Sequence, residues 1–241
     1  MIDIFNKIVK FFFIKISRII FLITPEEFKN KQTKNLKSKL RENLIDETFK
    51  NFNKHIKKSL IFTDNWKTRE YGIKTALQDD IDEKYFYLEF GVWKGASANF
   101  FSKYVKKMYV FDSFEGLSED WSGKSYPKYY YNLNKKIPKL NSNVEPVVGW
   151  VEDTLEVFLK KYNPKIKFVH FDMDLYTPTK FTLEKLKPYL TKDAILIFDE
   201  LYNYIGWEEG EYKALTEVFS EAEFIYKAFN ISGANCVIQI K

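Results

Sequence analysis

The sequence predicts an α/β fold: a seven-stranded, mostly parallel sheet with helices on both faces, an antiparallel C-terminal hairpin, and an N-terminal helical extension. Three observations carry this expectation. From residue 85 onward, apolar runs of strand length alternate with segments of helical period, the pattern of a parallel sheet with crossover helices. The last two runs, Glu223–Phe229 and Asn235–Ile240, are joined by Asn230-Ile231-Ser232-Gly233-Ala234, which is too short for a helical crossover, so they should pair antiparallel. Charge is also segregated. Residues 1–70 hold 16 Lys and Arg against 8 Asp and Glu, net +8, whereas residues 71–241 hold 22 against 25, net −3.

With 45% hydrophobic and 18% aromatic residues over 241 positions, the chain can bury a sizeable core, which excludes disordered and collagen-like classes. A lone cysteine, Cys236, excludes an internal disulfide and a cysteine zinc cluster. The expected organisation is a basic extension over residues 1–60 and a main domain over 61–241.

Within the extension the longest uninterrupted apolar run is Ile19–Ile23, because Lys7, Lys10, Lys15 and Arg18 interrupt the rest. A membrane span needs roughly 18 apolar residues in a row and a signal peptide needs about 7–15, so neither is expected. Helical spacing places Asp3, Asn6, Lys7, Lys10, Ser17 and Arg18 on one side of residues 1–23 and most apolar residues on the other. Two readings stay open. That face lies on an anionic membrane surface, or it docks on the protein itself or on a second copy in a homodimer. The chain is accordingly expected in the cytoplasm, with peripheral contact to the inner face of the membrane under the first reading. Thr24-Pro25-Glu26-Glu27 reads as the start of a second helix running to about residue 40. Its lysines read as a solvated face rather than a nucleic-acid site, since aromatics there are sparse.

The expected strands of the main domain are Tyr85–Phe90, Met108–Asp112, Glu145–Gly149, Ile166–Asp172 and Ala194–Asp199, followed by the hairpin pair. The expected helices are Ala96–Val105, Thr154–Tyr162, Thr179–Leu190 and Glu208–Phe219. Ligands in such sheets bind beyond the C-terminal strand ends. Here Glu89, Asp112, Asp172 and Asp199 lie at those ends, although buried parallel strands are normally apolar throughout. Helix capping or salt bridging could explain one or two of them, but it explains all four poorly.

Glu89-Phe90-Gly91-Val92-Trp93-Lys94-Gly95-Ala96-Ser97 joins the first strand to its helix. Its two glycines allow a sharp turn and a close backbone approach. Trp93 occupies the place where a dinucleotide loop needs glycine, so a pyrophosphate does not fit. Glu89 is available to a cationic or amino group. Asp112 can accept ribose hydroxyls, or act merely as a turn-former ahead of Ser113. After the third strand, Glu152 and Asp153 are placed to meet an adenine amine.

With Asp112-Ser113-Phe114-Glu115-Gly116-Leu117, Phe171-Asp172-Met173-Asp174-Leu175-Tyr176, Phe198-Asp199-Glu200 and Gly206-Trp207-Glu208-Glu209-Gly210-Glu211, this loop resembles the class I S-adenosylmethionine-dependent methyltransferases. Within that class the motifs are similar to the macrocin O-methyltransferase group, which methylates sugar hydroxyls of macrolides. The resemblance covers roughly residues 60–241. It implies a Rossmann-like fold and places Glu89, Gly91, Gly95, Asp112 and Asp153, with the neighbouring Ser97, Ser113 and Glu152, around S-adenosylmethionine.

Asp172, Asp174, Asp199 and Glu200 offer three or four oxygen ligands at adjacent strand tips, the donor set of Mg²⁺ or Mn²⁺. The resemblance implies Asp172, Asp199 and Glu200 as metal ligands. Asp172 and Asp174 are the expected catalytic acids, with Asp174 an extra ligand or the base. An unmetallated acidic cluster bound by lysines is the alternative. His170 is expected as a packed core histidine with a minor claim to catalysis, and His55 as a surface residue. Residues 118–142 carry Trp121, Tyr126, Tyr129, Tyr130 and Tyr131, suited to stacking on a sugar ring as a lid or, alternatively, to forming a surface insert. Tyr129 and Tyr130 are the expected substrate contacts, with Trp207 and Glu211 as the opposite wall. The implied reaction is methyl transfer to a hydroxyl of a sugar or glycoconjugate. Other small acceptors, such as a phenol or polyketide, and a non-catalytic membrane-peripheral binding module are the competing readings.

Overall fold

A computed structural model describes residues 2–23, 35–77 and 84–241, and within the first helix the side chains of residues 9–17, 19 and 20. The expected helix start at Thr24-Pro25 lies outside the described residues. By its contacts the chain divides into two units, residues 1–43 and 44–241.

The first unit holds helix α1 (Ile2–Ile23) and the beginning of α2 (Leu36–Ile56). Every described side chain of α1 is exposed, Phe11, Phe12 and Phe13 included. No helix among the described residues is long and apolar enough to cross a membrane. Asn35 caps α2 reciprocally: Ser38 N–H donates to Asn35 Oδ1 at 2.9 Å and Asn35 N–H donates to Ser38 Oγ at 3.0 Å.

The second unit runs α2's latter half, β1 (Leu60–Phe62), α3 (Asn65–Ala76), β2 (Tyr85–Phe90), α4 (Ala96–Phe101), β3 (Met108–Asp112), β4 (Val144–Val148), α5 (Val151–Tyr162), β5 (Lys165–Phe171), α6 (Tyr176–Leu186), β6 (Leu190–Phe198), α7 (Glu211–Val218), β7 (Phe224–Asn230) and β8 (Cys236–Ile240). The sheet order is β1-β7-β8-β6-β5-β2-β3-β4. Only β8 runs antiparallel, against both β6 and β7, so the hairpin closes the sheet as its short joint requires. The sheet has eight strands rather than seven. The additional strand, β1, lies parallel to β7 at the edge, and its three residues are too few to show a period. Residues of α2 beyond Leu44 belong to this unit: Phe52 is 1% exposed, with its ring 5.1–6.0 Å from those of Tyr202, Trp207, Tyr212, Tyr226 and Phe229.

Period-two alternation divides the core. Leu88 and Phe90 pack with Phe111, Val169 and Phe171 beneath α5, α6 and α7, while Tyr87 packs with Val110, Phe168 and Ile197 against α3 and α4. Four phenylalanines form a row across the central strands: Phe111–Phe90 at 4.6 Å, Phe90–Phe171 at 5.9 Å and Phe171–Phe198 at 4.9 Å, all stacked. These four are Cα partners in the ladders, so the residue after each (Asp112, Gly91, Asp172 and Asp199) falls in one line at the sheet's edge. Register therefore assembles the site.

Candidate active site

Above that phenylalanine row lies a cavity of about 270 Å³, lined by Gly91, Trp93, Asp112, Ser113, Tyr131, Trp150, Glu152, Asp172, Asp174, Asp199 and Glu200 among others. Gly91 has φ +86°, and a Cβ there would lie 1.8 Å from the carbonyl oxygen of Asp172, so the β2 tip admits only glycine. Asp112 organises the same turn: Oδ2 accepts from Val92 N–H at 2.7 Å and Trp93 N–H at 2.9 Å, and Oδ1 accepts from Phe114 N–H at 2.7 Å. A carboxylate has about four lone-pair sites, so one remains for a ligand hydroxyl. Ser113 and Glu152 also face the cavity.

Other expected cofactor residues stand elsewhere. Glu89 is fully buried and bonds His170 Nδ1 at 2.8 Å, behind the cavity rather than in it. Gly95 caps α4, Ser97 is buried in that helix, and Asp153 sits in the first turn of α5; none of the three lines the cavity.

The acids at the β5 and β6 tips behave differently from one another. Oxygens of Asp172, Asp174 and Glu200 all lie within 4.8 Å of one another. Asp199, expected as a ligand, is not part of that group. Its Oδ1 accepts from Arg69 Nη2 at 2.5 Å and from Asn235 Nδ2, with His170 Nε2 at 3.3 Å. Burial works against the charge of Asp199, yet the bonds from His170 and Arg69 hold its pKa below the ordinary carboxylate value. Burial also opposes charge on His170, but Asp199 and Glu89 raise it to about 9, so it is a packed, charged histidine with no place in the cavity lining. His55 is half-buried, with its ring 4.4 Å from that of Tyr226.

Asp172 is pushed up to about 7 by burial and by Asp199. Asp174 and Glu200 are pushed well above their usual values by burial and neighbouring carboxylates, and Glu200 Oε2 is buried without a partner. These three acids repel one another and hold an unsatisfied oxygen. That is the condition a hard divalent cation relieves, so the residues fit Mg²⁺ or Mn²⁺. Asp174 has φ +66°, a left-handed conformation that Asp tolerates and that places it off the extended path of β5.

The aromatic expectations divide. Tyr129 and Tyr130 are 52% and 42% exposed and do not line the cavity; Tyr131 does. Left-handed φ values of 66° at Tyr129 and 69° at Tyr131 break the alternation that sequence reading would use. Trp207 is fully buried, 5.2 Å from Phe52 and 4.8 Å from Tyr212, and so belongs to the core rather than to a substrate wall. Glu211, also fully buried, accepts from Glu200 N–H at 3.2 Å and supports that residue from below. Sequence reasoning missed Arg69. It lies on α3, far along the chain from the motifs, and only the fold brings it to Asp199.

A family profile described as a methyltransferase domain matches residues 88–201. The match spans 114 of the chain's 241 residues. All the cavity-lining residues fall inside it, whereas Arg69 and the N-terminal helices fall outside. The chain has the fold of the class I S-adenosylmethionine-dependent methyltransferases. The calicheamicin methyltransferase CalS11 shares that fold at 22% identity and TM-score 0.59, over 73% of this chain and 78% of its own. The O-methyltransferase NovP does so at 18% identity and TM-score 0.55, over 73% and 79%. No curated protein matches the sequence.

Proposed function

We propose that the methyltransferase domain transfers the methyl group of S-adenosylmethionine to a hydroxyl of a sugar or glycoconjugate, assisted by a divalent cation held by Asp172, Asp174 and Glu200. The observation that carries this reading is the convergence of those three carboxylates at one wall of a cavity whose other wall is the Gly91–Asp112 turn. CalS11, which shares the fold, is described as a TDP-rhamnose 3'-O-methyltransferase.

In this reading the remaining acceptor site of Asp112 takes a ribose hydroxyl and Glu152 takes an amine of the base. The apolar surfaces of Trp150, Val151 and Leu175 enclose the flat ring. A divalent cation, when bound, offsets the repulsion among the three acids and lowers the pKa of an acceptor hydroxyl. Asp172 orients that hydroxyl and Asp174 takes up its proton as the oxygen bonds to the methyl carbon and the carbon–sulfur bond breaks, leaving S-adenosylhomocysteine. Holding two reactants in line lowers a barrier by up to roughly 7–11 kcal/mol, so positioning does much of the work.

Calorimetry with S-adenosylhomocysteine in the presence of Mg²⁺ tests the reading; no binding by the folded protein overturns it. Screening sugars, glycolipids and phenols for S-adenosylhomocysteine release separates a sugar acceptor from the phenol or polyketide alternative, and chelation of divalent ions should abolish that release. Asp174→Asn keeps a residue that tolerates φ +66° but removes the proton acceptor. It should lower kcat by about 10²- to 10⁴-fold while leaving S-adenosylhomocysteine affinity unchanged. An equal loss of affinity would place Asp174 at the cofactor instead.

The exposed Phe11, Phe12, Phe13, Ile16, Ile19 and Ile20 of α1, beside Lys10 and Lys15, favour contact with an anionic membrane surface. Deleting residues 1–23 should abolish co-sedimentation with vesicles rich in phosphatidylglycerol. A changed sedimentation mass with vesicle binding intact would instead make the helix a dimer element.

A further inference from the structure

The acidic cavity is bordered by an aromatic strip with cations set on it. Successive ring pairs run Trp93–Tyr131 at 5.2 Å, Tyr131–Tyr130 at 4.7 Å, Tyr130–Tyr126 at 4.4 Å, Tyr126–Trp121 at 5.7 Å and Trp121–Tyr204 at 5.9 Å. Lys94 Nζ lies over Trp93 at 4.2 Å, at one end of the strip. Lys124 Nζ lies over both Trp121 and Tyr204, at 4.7 and 4.8 Å, at the other end. Lys128 Nζ lies over Tyr129, the chain neighbour of Tyr130, at 5.0 Å. None of these three lysines pairs with a carboxylate among the described residues, and a ring face holds an ammonium without neutralising it. Residues 118–142 as a whole hold five lysines against Glu119 and Asp120, inside a domain that is otherwise mildly acidic.

Lys124 is held in place by its backbone. Trp121 and Tyr126 form a bridge in which Trp121 N–H donates to Tyr126 O at 2.9 Å. Within that turn Gly123, at φ +79°, is so close to the β6–α7 loop that a Cβ would fall 1.7 Å from Ile205 O. The turn is thus clamped onto the loop that follows Glu200, and the Lys124 charge acts on Glu200 itself, opposing the burial that raises that carboxyl. Tyr131, which joins the strip to the cavity, feels the charges of Asp174, Glu200 and Asp172. Trp121 and Tyr204 are themselves buried, so the rings open to an acceptor are those of Trp93, Tyr129 and Tyr130, and an acceptor spanning this region meets acids at its inner end, those rings beside it and lysines without a carboxylate partner at the rim.

Resting on the function proposed above, we propose that the acceptor is an anionic sugar derivative, with its phosphate or carboxylate on the rim of Lys94, Lys124 and Lys128 and its hydroxyl turned toward Asp172 and Asp174. Sugar rings stack on aromatic faces through their apolar C–H surfaces, and the anionic group sets which end points inward.

The full chain saturated with S-adenosylhomocysteine and Mg²⁺ is titrated with methyl glucoside, glucose 1-phosphate, UDP-glucose and glucuronic acid. The charged probes should bind at least about tenfold more tightly than methyl glucoside at about 0.1 M salt, and the advantage should vanish at about 1 M, where the screening length falls to about 3 Å. Comparing the phosphate esters with glucuronic acid tells which anion is preferred. Lys124→Gln combined with Lys128→Gln should remove the preference while S-adenosylhomocysteine still binds. The proposal is overturned if methyl glucoside binds as well as the charged probes, if no charged probe binds at millimolar concentration, or if the preference survives in the double variant. Failure of S-adenosylhomocysteine to bind would sink the methyltransferase reading instead.

Discussion

Gly91→Ala is expected to lower unfolding stability by about 3–5 kcal/mol and to abolish S-adenosylhomocysteine binding. Two costs add. A left-handed conformation costs an L-residue roughly 1–2 kcal/mol, and Gly91 sits at φ +86°. The new Cβ would also lie 1.8 Å from Asp172 O, a backbone atom that cannot swing aside. Asp172 N–H donates to Phe90 O at 2.8 Å and Gly91 N–H to Phe111 O at 3.0 Å, so the contact lies where β2, β3 and β5 are laced together. Relief would have to separate strands at the centre of the sheet. Gly95→Ala is the matched control. It shares the positive φ, +77°, but the one close approach of its Cβ would be to Leu140 Cδ2 at 2.7 Å, the end of a flexible side chain, with Asn99 Nδ2 and Pro138 Cγ at an ordinary 3.6 Å. Urea unfolding of both variants checks the difference, and equal midpoints would show that the Asp172 contact yields.

Asp199→Ala should be nearly as damaging, and through folding rather than through metal binding. Asp199 is 8% exposed, and its carboxylate receives Arg69, Asn235 and His170. Removing one partner of a buried ion pair costs about 3–5 kcal/mol, because the other charge is left uncompensated. Here two cations are left: Arg69, a permanent charge, and His170, which retains only Glu89. Adding Arg69→Met should recover part of the loss, since replacing both partners of a buried pair costs much less than removing one. Thermal unfolding of the single and double variants measures this. A single variant with wild-type stability and lost divalent-ion binding would return Asp199 to the ligand set.

These two residues show where sequence reading succeeds and where it stops. That Asp112, Asp172 and Asp199 stand at the tips of β3, β5 and β6 was legible, because acids at the ends of apolar parallel runs stand out against the residues before them, whereas Glu89, read as a tip acid in the same way, is buried against His170. The antiparallel hairpin was legible from a joint too short to cross over. The roles of the tip acids were not. Asp199 and Glu200 are adjacent in the chain, yet one is paired with Arg69 and the other is orphaned beside Asp174, and nothing in their spacing distinguishes them. Trp207 has the composition of a substrate wall and the position of a core residue. Tyr131 replaces Tyr129 and Tyr130 at the cavity because two left-handed backbones redirect the run.

The sequence by itself determined the order of elements, the alternation of apolar strand-length runs with helical segments, and the charge division between extension and main domain. Those are local properties, set by apolar period, turn length and residue type. The tertiary structure decided which carboxylates share a point in space, which one is paired with an arginine 130 residues earlier in the chain, and which aromatic rings line the cavity. Such outcomes depend on strand register and on contacts between residues far apart in the chain, and a change of one residue in register would reverse the face on which every one of these side chains lies.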